Sequence, residues 1–217
     1  MKQAFGFTLL MVAVFLTLRA GYAEPVEDVK LDGIKKIYVA EVAVPPEDSS
    51  LVRRCPICNA GLVNTVVLPA GVDMLALNLK RGLVKNSFYE YIFPPKKEER
   101  PDEKKFSLDD VFGIASQKGA DAALVPVLLR YRELEGNKFA AKNPASVAFH
   151  LHLYSTDDKK EIWSFVFNET QRPLSENLLD TVKFWKRRAK WIKAGELLKE
   201  GVEKAMKAFP KPEVRKR

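Results

Sequence analysis

Three apolar runs between Ala122 and Phe167 constrain the fold of this chain more than any other feature. Residues 122–129 (Ala-Ala-Leu-Val-Pro-Val-Leu-Leu) are apolar without interruption, the pattern of a central strand buried on both faces. In residues 147–153, Val147, Phe149, Leu151 and Leu153 alternate with Ala148, His150 and His152, so the two sets point to opposite faces of a strand. In residues 161–167, Ile162 and the set Trp163, Phe165 and Phe167 alternate with Ser164 and Val166. Asp157-Asp158-Lys159-Lys160 between the last two runs reads as a hairpin loop.

Upstream, residues 34–44 (Ile-Lys-Lys-Ile-Tyr-Val-Ala-Glu-Val-Ala-Val) are β-rich and stop at Pro45-Pro46, which marks a first strand. Residues 45–70 then read as an insertion loop with a short strand at 62–68. Pro69 to Asp73 opens a helix in which Val72, Leu75, Leu79, Leu83 and Phe88 share a face, with Lys80, Arg81 and Lys85 opposite, and the spacing carries it to about Tyr91. Residues 94–105 are nearly all charged or proline and form an exposed connection. Ser107 followed by Asp109 and Asp110 makes a helix start, and Gly119 makes its stop. Two further helices are expected at 174–185 and 194–209. The sequence therefore predicts an α/β fold, a mixed sheet with an antiparallel three-strand meander, flanked by helices. It predicts a leader over 1–23, an N-terminal lead over 24–33, one domain over 34–209 with the insertion at 45–70, and a basic tail over 210–217.

The leader is expected from Lys2, the apolar run 4–18 and the small residues Gly21 and Ala23 before Glu24-Pro25, the layout of a secretory signal peptide. It predicts an exported, periplasmic protein, the alternatives being an uncleaved N-terminal anchor and a location peripheral to a membrane. Charge is unevenly placed. Residues 183–217 carry 13 Lys or Arg against four Glu, a net of +9, whereas residues 24–182 sum to −3. In an exported protein such a segment points away from nucleic acid and toward anionic lipid or an acidic protein partner. Trp185 and Trp191 straddle Lys186, Arg187, Arg188 and Lys190, so these six residues are the candidate membrane or partner surface, the alternative being that the rings pack on the domain while the charges face water.

Cys55-Pro56-Ile57-Cys58 is the only cysteine pair. Asn59 stands where c-type haem attachment needs histidine. A local disulfide, which export favours, a zinc knuckle and a redox dithiol remain as readings. As metal ligands Cys55 and Cys58 supply two of the four positions zinc takes, with a partner chain in a homodimer to complete the set. His150 and His152 share a strand face and could reach one metal or one ligand, an incomplete site by themselves, or simply form a polar sheet face. No phosphate loop, serine elbow or His-Glu metal motif is visible. The expectation is a non-enzymatic protein without cofactor, zinc being the alternative.

The segments Gly119-Ala120-Asp121-Ala122-Ala123-Leu124-Val125-Pro126, Ala145 to Leu151 and Trp163-Ser164 resemble small exported bacterial envelope proteins and lipoproteins whose fold is similar to CsgG, LpoB and the TolB N-terminal domain. The resemblance covers about residues 34–209 as an element order. It implies a binding or assembly-accessory module of the cell envelope, with an envelope protein or an anionic membrane surface as partner and no catalytic residue to carry over. The runner-up is a metal- or thiol-dependent envelope protein using Cys55 and Cys58.

Overall fold

The computed structural model describes residues 33–95, 106–136, 141–171 and 191–212. Its framework is a five-stranded sheet of β1 (Lys36–Val39), β4 (Glu90–Ile92), β5 (Ala122–Arg132), β8 (Ser146–Ser155) and β9 (Glu161–Thr170), in the order β4-β1-β5-β8-β9. β1 runs parallel to both β4 and β5, and β5, β8 and β9 form an antiparallel meander. The expected mixed sheet is therefore present, with the uninterrupted apolar run at its centre.

Asp121 explains how the Gly-Ala-Asp segment feeds that strand. Gly119 takes a left-handed φ of 61°, which costs glycine little. The Asp121 carboxylate then accepts from the backbone N–H groups of Lys35 and Lys36, both at 2.8 Å. One side chain thus ties the start of β1 to the start of β5.

Each sheet face has its own cover. On one, Ile37, Leu124, Val147, Phe149, Leu151, Leu153, Trp163 and Phe167 meet the apolar stripes of α1 (Pro69–Asn86) and α3 (Ala194–Ala208). Leu75, Leu79 and Leu83 of α1 and Leu197 and Leu198 of α3 are at most 1% exposed, and burying each contributes about 1.5–3 kcal/mol. Gly201 lets α3 approach closely, since a Cβ there would lie 2.8 Å from the rings of Phe149 and Phe167. On the other face, Tyr38, Ala123, Val125, Val127, Leu129, Ala148 and Tyr154 pack beneath α2 (Leu108–Gln117) and the segment carrying Cys55. One extra residue between Leu128 and Arg130 of β5 switches the strand's parity, so Leu128 and Tyr131 face the α1/α3 side while Leu129 joins Val127 on the other.

Two expectations need correction. The first helix stops at Asn86, where Ser87 takes a left-handed conformation and its N–H reaches the Leu83 carbonyl. The segment expected as its last turn is β4, because pairing with β1 gives those backbone groups partners. The strand expected at 62–68 is instead half of a small hairpin, β2 (Val52–Arg54) with β3 (Gly61–Val63). A second short hairpin joins β6 (Glu135–Gly136) to β7 (Ala141–Asn143). The expected helix at 174–185 and the leader lie outside the described residues. Among the described residues no helix is long and apolar enough to cross a membrane.

Candidate metal centre

The insertion between β1 and α1 leaves the sheet and returns to it at the same strand. Ala43 pairs with β5 through its N–H to Pro126 and its carbonyl to Leu128. The returning chain gives the Val66 carbonyl to the Tyr131 N–H and the Leu68 N–H to the Tyr131 carbonyl. With both ends fixed a few residues apart on β5, the hairpin between them folds back over the α2 side of the sheet. Ile57 and Leu62 pack there against the core.

Cys55 to Cys58 form the tip of that hairpin. Cys55 N–H donates to the Ala60 carbonyl at 2.9 Å, and Asn59 N–H donates to the Cys55 carbonyl at 3.0 Å. Asn59 has φ 58°, a left-handed position that asparagine tolerates better than most residues. The resulting tight turn presents both sulfurs to the sheet. Cys55 is buried and Cys58 exposed, and both are free thiols.

The sheet presents His150 and His152 beneath them. On β8 they face the same side, His150 opposite Val127 and Val166, His152 opposite Val125 and Ser164. They are 2% and 1% exposed, so the polar sheet face is a covered one. Cys55 Sγ lies 3.4 Å from His152 Nε2, and Cys58 Sγ lies 3.3 Å from His150 Nδ1. All four ligand atoms lie within 4.8 Å of one another. Zinc bonds of ~2.3 Å to sulfur and ~2.0–2.1 Å to nitrogen set a sulfur and a nitrogen about 3.5 Å apart across a tetrahedral ion. The two sulfur–nitrogen distances match that span.

Glu161 completes the arrangement. Its Oε1 is 2.8 Å from His152 Nδ1, the nitrogen turned away from the cysteines, which fixes the ring with its Nε2 lone pair toward the sulfurs. Burial, with a smaller contribution from neighbouring His152, pushes the His150 pKa down to about 4. That ring is neutral at ordinary pH and has a lone pair to give. Burial pushes the Cys55 thiol up to about 11, with the Cys58 thiol alongside adding to the shift. An ion entering here must displace those protons, and two thiolates would neutralise a divalent cation within a largely buried site.

The sequence reading takes the two cysteines and the two histidines separately and looks to a second chain for the missing ligands. The structure brings all four together from one chain. The signal was present as a two-plus-two ligand count, but only the hairpin's return over β8 joins the halves. Glu161 left no signal, since one acid beside a hairpin loop is unremarkable. The surface proposed at Trp185, Lys186, Arg187, Arg188 and Lys190 lies outside the described residues, and Trp191 is half-buried.

Fold and site define a mixed-sheet α/β domain with a Cys2His2 cluster between an inserted hairpin and the central meander. No protein-family model and no curated protein matches the chain. Among solved structures, the PelC dodecamer from Paraburkholderia phytofirmans is 12% identical with a TM-score of 0.45, over 83% of this chain and 90% of that one. Lipoprotein GNA1162 from Neisseria meningitidis is 13% identical with a TM-score of 0.39, over 71% and 98%. The LpoB C-terminal domain from Salmonella enterica is 14% identical with a TM-score of 0.38, over 64% and 87%. At such identities the likeness is one of element order.

Proposed function

We propose that this chain is a non-enzymatic accessory or binding domain of the cell envelope that holds one zinc ion per chain through Cys55, Cys58, His150 and His152. The observation that carries the metal is the convergence of four ligand atoms within 4.8 Å. Four protein ligands leave no open coordination position, which is the pattern of structural rather than catalytic zinc. The ion would fasten the hairpin to β8 and so complete the second cover of the sheet. The envelope assignment is supported by the leader-like residues 1–23 and by the Gly-Ala-Asp and Trp-Ser resemblance. In this reading the partner is an envelope protein or an anionic membrane surface.

The test is metal content of protein purified without chelator, by elemental analysis against protein concentration. One zinc per chain in a monomer supports the proposal, and a ratio near zero in the Cys55→Ser/Cys58→Ser and His150→Ala/His152→Ala variants assigns the ligands. Zinc at half occupancy in a dimer, or no metal taken up by reduced protein with both thiols free and zinc supplied, would overturn it.

A further inference from the structure

The two cysteines of the centre differ in a way that zinc binding does not require. Cys55 is 1% exposed, on the side of the hairpin turn that meets the sheet, whereas Cys58 is exposed in the same turn. A metal-bound cysteine is held as thiolate, and accessibility then decides which sulfur a reagent reaches. The pair also sits three residues apart in one turn, with all ligand atoms, both sulfurs included, within 4.8 Å of one another. A disulfide needs the sulfurs at ~2.05 Å, so closure requires a movement of one side chain within a turn that is open to solvent on the Cys58 side.

We infer that Cys58 is a reactive thiolate through which a disulfide-class oxidant ejects the metal and closes a Cys55–Cys58 disulfide. This rests on the zinc reading of the site. The Cys58 thiolate attacks one sulfur of a disulfide RSSR, forming a Cys58–SR bond and releasing RS⁻. The Cys55 thiolate then attacks the Cys58 sulfur, forming the internal disulfide and expelling the second RS⁻. In sum, the zinc dithiolate and RSSR give the Cys55–Cys58 disulfide, Zn²⁺ and two RS⁻. The protein's two thiolates are oxidised by two electrons and the reagent is reduced by two. His150 and His152 alone are half a zinc site, so the ion leaves. The order of attack is fixed by burial, because Cys55 is screened by the hairpin and the sheet. The disulfide and the metal centre thus become two states of the same four residues, and loss of the metal frees the hairpin from β8.

The experiment treats zinc-loaded, full-chain protein with glutathione disulfide, follows released zinc with a chromophoric chelator, and maps the adducts by peptide mass spectrometry. One zinc released for every two thiols lost is expected. At limiting reagent the mixed disulfide should sit on Cys58 in preference to Cys55 by roughly ten-fold or more. In Cys55→Ser the adduct should accumulate on Cys58, with no second thiol to resolve it. A dithiol reductant with added zinc should restore the loaded protein. Adducts on Cys55 first, or zinc retained under excess reagent, would overturn the inference while leaving the zinc centre intact. Protein that never carries zinc would instead overturn the reading beneath it. The mapping at limiting reagent uses unaltered protein, so it decides the matter even if Cys55→Ser fails to fold.

Discussion

Replacing Glu161 by alanine should weaken zinc binding without unfolding the domain. The carboxylate makes one described contact with the centre, the 2.8 Å bond to His152 Nδ1, and it stands at the rim, its side chain 37% exposed against 1% for the histidine. Removing such a partner from a metal-bound histidine costs about 10- to 100-fold in affinity, or about 1.4 to 2.7 kcal/mol. The lower end applies here for two reasons. Water can reach the vacated rim and accept from Nδ1–H, and His152 is buried on β8 with Val125 and Ser164 as its cross-strand neighbours, so its ring cannot swing far. About ten-fold is therefore expected for Glu161→Ala, and less for Glu161→Gln, whose amide oxygen can still accept the bond. Competition against a chromophoric chelator at fixed pH measures the affinity, and thermal melting of the metal-free protein checks the fold. An alanine variant binding zinc within about two-fold of the parent, with its fold intact, would refute the orienting role.

Chelation at saturating zinc should cost about 4 kcal/mol of stability if free zinc stood a thousand-fold above Kd, with hydrogen exchange rising first in residues 52–63; unchanged exchange there would show that the metal does not hold the hairpin. Gly201→Ala should destabilise by about 1–3 kcal/mol, read by denaturant titration, because its Cβ would sit 2.8 Å from Phe149 and Phe167. Tyr91→Phe should be neutral or stabilising by up to about 1 kcal/mol, since the buried Tyr91 hydroxyl has no hydrogen-bond partner among the described residues. Burial, and to a smaller degree neighbouring Tyr89, raises the Tyr91 pKa. The folded state therefore keeps that proton after the unfolded chain has lost it, so stability falls as pH rises past about 10, and Tyr91→Phe should lessen that fall in melts recorded across the alkaline range.

The strands and helices were legible where one period dominates. Ala122 to Leu129 and the alternations at 147–153 and 161–167 read as strands and are strands, and Ser107 with Gly119 bracketed α2 within a residue. β4 was missed because three residues, Glu90 to Ile92, owe their conformation to β1 alongside them rather than to their own pattern. The centre was half legible for a related reason. Cys-Pro-Ile-Cys announces a turn carrying two thiols, but nothing local says that His150 and His152 lie under it. Their meeting depends on Ala43 and Tyr131 holding the two ends of the insertion on the same strand, a long-range fact that spacing does not encode.

That separation sets an order of events during folding. The cysteines and histidines in contact are 97 and 92 residues apart in the chain, and closing so long a loop costs entropy before any bond repays it. In a chain emerging from its N-terminus the two thiols are present long before the imidazoles, and two ligands hold zinc poorly. Firm capture must wait until β8 has docked on β5. On the zinc proposal, the ion would be a latch on a finished sheet rather than a seed for it, and zinc supply should set how long the folded domain lasts while leaving the speed of its folding unchanged.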